Sequence, residues 1–185
     1  TNAYAARKSL VRRGCIFQST SDTETIIHLI AISHYSTVVD RMIDALRQLE
    51  GAYSLVALTR ENLIGVRDSL GIRPLVLGRF GEAYILASET CALDIIGAEF
   101  VRDVEPGEII VIDDKGLRSI KPFAKARSRF CIFEYIYFAR PDSVVLGKNV
   151  YEVRKRIGAE LARESHVDAD LVVPVPDSGV PAAIG

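Results

Sequence analysis

The chain has 185 residues, 49% of them apolar, and its 23 Lys and Arg against 24 Asp and Glu leave a formal net charge of −1. Apolar residues spread along the whole length supply a sizeable core, which excludes a disordered chain. The balanced charge excludes the electrostatic footprint of bulk nucleic-acid or membrane-surface binding, and no apolar run approaches the roughly 20 residues that span a bilayer.

In chain order, the first third has helical periodicity. Asn2 suits the N-cap of a helix running to about Arg13, closed by Gly14. After the short CIFQ, the stretch SDTETIIHLIAIS places Ser21 and Glu24 at capping-box spacing ahead of Ile26, Ile27 and Ile30. STVVDRMIDALRQLEG is a third helix, with Val38, Met42, Ala45, Leu46 and Leu49 on one face and Gly51 after it. From Gly51 the period becomes that of strands. AYSLVALT, NLIGVRD, PLVLGRF and EAYILAS are short runs between turn residues, which predicts an antiparallel meander. TCALDIIGA is a brief helix, and EFVRDVEPGEIIVIDDKGLRSIKP reads as strand, Pro-Gly turn, strand and hairpin. Residues 1–122 therefore form an α+β domain of helices packed on antiparallel sheet.

The basic KPFAKARSRF then supplies a linker over 123–130. Beyond it the organisation changes to an apolar strand, CIFEYIYFA (131–139), a polar turn, a helix of about 149–165 and a closing strand, LVVPVP. The helix aligns Val150, Val153, Ile157 and Leu161 on one face. Strand–helix–strand order predicts the opening of a parallel α/β domain over 131–185. Three cysteines, Cys15, Cys91 and Cys131, are odd in number and far apart, which argues against a disulfide framework and for a reduced, cytoplasmic setting. With no signal-peptide pattern and with Thr1 where an initiator Met would stand, the expectation is an internal segment of a longer chain.

Several polar groups are candidates for function, each with a plainer structural reading. Asp22 lies in the first turn of a helix, where a carboxylate complements the partial positive charge of the free amides and could equally hold a substrate ammonium. RDSLGIRPL (67–75) is readable as a hairpin with a surface ion pair. Arg140, Asp142 and Ser143 form a polar turn beyond the 131–139 strand, where α/β ligand sites often lie, or simply a loop leading into a helix. Asp177, Ser178 and Gly179 end the chain's last strand in PDSG, four residue types that also make ordinary turns. Cys131 alone in a strand reads as a small buried hydrophobe. His28, His34 and His166 carry no metal-ligand spacing.

Taken together, GAYSLVAL (51–58), RDSLGIRPL and LASETCAL (86–93) resemble the glutaminase domain of the N-terminal-nucleophile glutamine amidotransferases. EYIYFARPDS (134–143), with VPVPDSG downstream, narrows the resemblance to the glutamine phosphoribosylpyrophosphate amidotransferase, or amidophosphoribosyltransferase, family. The match runs in order over essentially all of the chain. It implies an αββα glutaminase domain followed by the start of a type I phosphoribosyltransferase domain. It also implies a reaction that moves glutamine-derived ammonia to C1 of 5-phosphoribosyl 1-diphosphate. The products are phosphoribosylamine, glutamate and diphosphate, the first committed step of purine synthesis.

By the same resemblance, Asp22 binds the glutamine α-amino group. Asp177, Ser178 and Gly179 form the diphosphate loop, with Ser178 at the Mg²⁺ ion. Purine nucleotides are implied as feedback inhibitors and a homo-oligomer as the assembly. In one branch of the family, a cysteine at the position of Cys131 ligates a 4Fe-4S cluster; other members keep a cysteine there without one. A cluster needs four thiolates, and Cys15 and Cys91 match no ligand, so the others would lie beyond Gly185. The family's nucleophile, a cysteine at the mature N-terminus with its own α-amine as base, has no counterpart here. Thr1 matches a position well inside the domain, and Cys15 lies mid-sequence. No catalytic residue is therefore assigned, and the 185 residues alone are expected to be inactive. Two other readings stay open. A different amidotransferase would replace ARPDS…VPDSG with a sugar-isomerase or ATP-pyrophosphatase pattern. A truncated, non-catalytic interaction module would lack the upstream Cys and a downstream acidic loop.

Overall fold

The computed structural model describes residues 2–185. Three helices open the chain: α1 (Ala3–Arg12), α2 (Asp22–Ile32) and α3 (Val38–Arg47). Ser21 caps α2 by accepting the Thr23 N–H, and Thr37 caps α3 by accepting the Asp40 N–H. Two local expectations change. Asn2 does not cap its own helix. Its amide donates to the Gln48 carbonyl and accepts the Glu50 N–H, both at 2.9 Å, tying the start of α1 to the end of α3. Glu24 does not close a reciprocal box with Ser21 either. Its carboxylate reaches further back, to the N–H groups of Gln18 and Ser19 and the Ser19 hydroxyl.

Seven strands follow: β1 (Ser54–Leu58), β2 (Leu63–Arg67), β3 (Val76–Phe80), β4 (Ala83–Ala87), β5 (Glu99–Asp103), β6 (Ile109–Asp113) and β7 (Gly116–Ile120), with α4 (Thr90–Ile95) between β4 and β5. All pairings are antiparallel, as expected, but they do not form one meander. The strands make two sheets, β1-β2-β6-β7 and β4-β3-β5, so the second neighbour of β2 is β6 and not β3. Both faces of the central strands are covered, which is why LIGV and IIVI read as continuous apolar runs. Ile64, Val66, Ile109 and Val111 pack under Val39, Met42 and Leu46 of α3. The intervening Ile110 and Ile112 pack with Leu75, Leu77 and Val104 between the sheets. Gly65 faces the second sheet, where a Cβ would stand 2.7 Å from Leu86 Cδ1, and Gly78 lies against Leu93 of α4, 2.5 Å from a Cβ position. The packing order is helices, sheet, sheet, helix.

One buried charge stitches the sheets together. Glu108, 1% exposed, accepts a forked pair of bonds from Arg102 of β5 (2.8 and 2.7 Å), one from the Ser119 hydroxyl of β7 and one from the Glu105 N–H. Burial alone would push this carboxyl up, but the Arg102 and Ser119 hydrogen bonds, the backbone donor and the Arg102 charge hold it at about 2.

The second segment departs most from expectation. The 131–139 stretch is not a strand but a π-helical turn, Glu134–Phe138. Its free carbonyls are satisfied by a side chain in place of a neighbouring strand: Arg154 donates to the Tyr135 and Ala139 oxygens at 2.7 Å. A small hairpin, β8 (Val144–Val145) with β9 (Lys148–Asn149), leads into α5 (Val150–Glu164), which Asn149 caps through the Glu152 N–H. The buried side of α5 is Val150, Arg154 and Gly158, while Ile157 and Leu161 of the expected apolar face are exposed. The reason is α6 (Val180–Ile184), which packs on α5 where Gly158 leaves room; a Cβ there would fall 1.8 Å from the Ala182 oxygen. LVVPVP is not a strand: it has no ladder partner among the described residues, Leu171, Val172, Val173 and Val175 are exposed, and its prolines cannot donate. Among the described residues, no helix is long and apolar enough to cross a membrane.

Candidate functional site

The motif RDSLGIRPL is a buried scaffold, not a surface ion pair. Arg67, 3% exposed, donates to the Arg73, Val104 and Gly71 carbonyls at 2.8, 2.7 and 3.1 Å. Asp68, 1% exposed, accepts the Leu70 and Ile72 N–H groups, closing the turn in which Gly71 takes φ +59°. Any side chain at Gly71 would be strained by that φ and crowded by Pro106, 2.6 Å from a Cβ position. Burial lowers the Arg67 pKa, while Asp103, Asp68 and Glu134 pull it back up.

This turn also receives the second segment. The Arg129 N–H donates to the Leu70 carbonyl and the Cys131 N–H to the Ile72 carbonyl. Arg73 meets the buried Glu134 at 2.7 Å while its guanidinium lies 4.5 Å over the Phe138 ring. Burial pushes the Glu134 carboxyl up, and the half-exposed Arg73 only partly draws it back. The ASET stretch makes a second bridge. Glu89 accepts the Arg140 N–H (2.8 Å) and the Ser143 hydroxyl (2.7 Å), and Thr90 accepts the Val144 N–H (2.8 Å). Arg140 and Asp142 form an exposed fork with both N···O distances 3.0 Å. Both motifs are visible in the sequence, but their partners are not. Glu89 and Thr90 carried no signal of a contact more than 50 residues away.

Asp22 occupies the first turn of α2 and is exposed. The approach to it is well tied: Arg7 donates to the Ser19 carbonyl at 2.6 Å and lies 4.1 Å over Phe17, whose ring centre is 4.4 Å from that of His28. Backbone and hydroxyl donors from Gln18 and Ser19 hold Glu24 at about 2. Asp177, Ser178 and Gly179 form the turn into α6. Asp177 is exposed and Ser178 half-buried, and Gly179 is required by space, since a Cβ would sit 2.7 Å from the Val175 oxygen.

The structure does not bring the two candidate sites into one cleft. Cavities of about 1180 and 500 Å³ open beside Thr37, Asn62 and Asp113 and beside Tyr53, Asp68 and Phe123. Neither is lined by Asp22, Cys131 or residues 177–179. Cys15, Cys91 and Cys131 sit on the α1–α2 connection, on α4 and before the π-helical turn. No three His, Cys, Asp or Glu side chains gather to hold a metal among the described residues. A four-iron cluster takes four thiolates, so these residues by themselves do not fit one. A hydroxyl and a carboxylate at 177–178 do suit a Mg²⁺ ion that keeps most of its water and arrives with a phosphate ligand.

A family model described as a glutamine amidotransferase domain matches residues 1–94, half of the chain, and the chain belongs to that family. The individual proteins it resembles are amidophosphoribosyltransferases. That of Rhizobium etli is 57% identical over 190 residues, and that of Bacillus subtilis 46% over 184. Each aligns with 100% of this chain but only 38% and 39% of its own length. The solved B. subtilis glutamine phosphoribosylpyrophosphate amidotransferase, complexed with ADP and GMP, superposes over 99% of this chain and 40% of that one, with a TM-score of 0.94 and 45% identity. The chain thus spans about two fifths of the length of these relatives.

Proposed function

We propose that this chain is part of an amidophosphoribosyltransferase. In this reading, residues 1–122 belong to an N-terminal-nucleophile glutaminase domain, 123–130 to the connection, and 131–185 to the opening of a type I phosphoribosyltransferase domain. The observation that carries it is the continuity of the likeness: the B. subtilis amidotransferase superposes through both the glutaminase motifs and the ARPDS…VPDSG stretch.

The chemistry divides accordingly. A cysteine nucleophile upstream would release ammonia from glutamine, and Asp22 would hold the α-ammonium through an ion pair aided by the neighbouring helix start. Ser178 would donate its hydroxyl to the diphosphate of 5-phosphoribosyl 1-diphosphate, with Asp177 accepting from bound water and Gly179 allowing the close approach of backbone. Mg²⁺ held there would offset the charge on the departing diphosphate. Ammonia would bond to C1 as the C1–O bond breaks and diphosphate leaves, and loss of one proton from the nitrogen, to the diphosphate or to water, would give phosphoribosylamine. In the whole protein we further propose a cytoplasmic homo-oligomer under purine-nucleotide control; the ADP and GMP in the B. subtilis complex support the nucleotide control alone.

The test is Ser178→Ala in the complete reading frame. The expected result is a KM for 5-phosphoribosyl 1-diphosphate raised about tenfold or more, as for loss of a charge-assisted hydrogen bond, with glutamine hydrolysis unchanged. Unchanged phosphoribosyl transfer would remove Ser178 from the site.

A further inference from the structure

We propose that Glu89 is a positioning residue that couples the glutaminase-type sheets to the Arg140–Ser143 turn; its functional half rests on the reading above. Glu89 occupies the N-cap position of α4, with extended backbone (φ −142°, ψ 153°), yet its side chain makes no cap bond to that helix. The first amides of α4 are thus left without a side-chain acceptor at the cap. The carboxylate is directed instead across 51 and 54 positions of chain, to the Arg140 N–H and the Ser143 hydroxyl. Thr90, the next residue, adds the Val144 N–H. Three bonds from two consecutive residues therefore land on one five-residue stretch.

The far side of that stretch is held as firmly. Ser143 is 0% exposed, and from the start of α5 the Val150 N–H donates to the Ser143 carbonyl and the Tyr151 N–H to the Pro141 carbonyl, both at 3.0 Å, while Arg154 grips the Tyr135 and Ala139 carbonyls just before the turn. The turn is clamped between α4 on one flank and α5 on the other, while the Arg140–Asp142 fork and the Val144 side chain reach solvent. A bond to an ionised acceptor is roughly twice as strong as a neutral one, so the Glu89 side of the clamp is a strong link. Since α4 follows directly on β4, a shift at that end of the second sheet is passed to the turn. From there it reaches the π-helical turn on one side and the hairpin leading into α5 on the other.

The experiment uses the full-length protein and two independent readouts: hydrogen exchange of peptides covering 139–145 and 83–95, and the ratio of phosphoribosyl product to glutamate formed. Glu89→Ala is expected to raise exchange across 139–145 by about tenfold or more while leaving 83–95 unchanged. It should also lower the product-to-glutamate ratio at an unchanged KM for glutamine. Glu89→Gln, which keeps an acceptor oxygen, should restore most of both. Ser143→Ala removes the opposing donor and should loosen the same peptide, which keeps the idea testable if Glu89→Ala folds poorly. Unchanged exchange over 139–145, or equal loosening of 83–95, overturns the positioning role. A loosened turn with an unchanged ratio overturns the coupling. If the wild-type protein forms no phosphoribosyl product, the proposed function fails, and exchange still decides whether Glu89 positions the turn.

Discussion

Gly158→Ala sets two effects of opposite sign against each other. Within a 15-residue helix such as α5, Ala in place of Gly favours the helix by up to about 1 kcal/mol. The new Cβ, however, would stand 1.8 Å from the Ala182 oxygen and 2.8 Å from its Cα, all backbone atoms that cannot rotate away. An ordinary contact needs about 3.5 Å, so α5 and α6 must part by about 1.5 Å, forfeiting much of their dispersion contact. Overpacking of this kind costs about 1–3 kcal/mol, which exceeds the propensity gain. Relief falls on the weaker partner. α6 has five residues and no side-chain cap, too short to persist off α5, whereas α5 keeps its Asn149 cap. We therefore expect hydrogen exchange over 176–185 to approach that of an open chain, with 150–164 protected as before or better. Net stability to thermal unfolding should fall by no more than about 2 kcal/mol. Since the PDSG turn leads into α6, the KM for the diphosphate substrate should rise while glutamine hydrolysis is spared. A variant that melts higher than wild type with 176–185 still protected would refute this reasoning.

Glu108 makes stability acid-sensitive: its folded pKa of about 2 lies below its ordinary 4.5, so the stabilisation is complete above about pH 4.5 and is lost as pH falls toward 2. Glu108→Gln should remove about 2–3 kcal/mol at pH 7, measured by urea titration, and flatten the pH dependence of stability between 5 and 2 relative to wild type; an equally steep loss would contradict the assignment. At the second ion pair, Arg73→Met should destabilise by about 2 kcal/mol because it leaves Glu134 buried without a partner, whereas adding Glu134→Gln should recover most of that loss in a double-mutant cycle. Asp22→Ala separates a substrate contact from dipole compensation: stability should change by less than about 1 kcal/mol, while the KM for glutamine in the full-length protein rises at least tenfold. An unchanged KM would leave Asp22 a helix-dipole residue.

What sequence could reveal followed from how local each signal is. The three opening helices and seven strands were legible because the Ser21 cap, the helical spacing of Val38, Met42, Ala45 and Leu46 and the turn residues between short apolar runs act within a few residues. Strand order was not, because the departure of β2 toward β6 depends on packing two sheets face to face, which no turn residue announces. The 131–139 stretch misled for a physical reason. CIFEYIYFA has strand composition, but Arg154 from the next helix supplies the donors that a neighbouring strand would have offered. LVVPVP has the composition of a buried strand but no ladder partner among the described residues. At the candidate sites the turn chemistry of PDSG and the place of Asp22 were readable. The bridges made by Arg73 to Glu134 and by Glu89 to Ser143 were not, since each joins residues far apart in the chain.

In the proposed function, this chain is part of a protein that joins glutamine hydrolysis to phosphoribosyl transfer. The most direct measurement follows glutamate and inorganic diphosphate together when the protein from the complete reading frame is given glutamine, 5-phosphoribosyl 1-diphosphate and Mg²⁺. The account predicts that both appear in a ratio near one, and that withholding 5-phosphoribosyl 1-diphosphate abolishes diphosphate release. Glutamate without diphosphate, or diphosphate released only when ATP replaces the phosphoribosyl substrate, would contradict it.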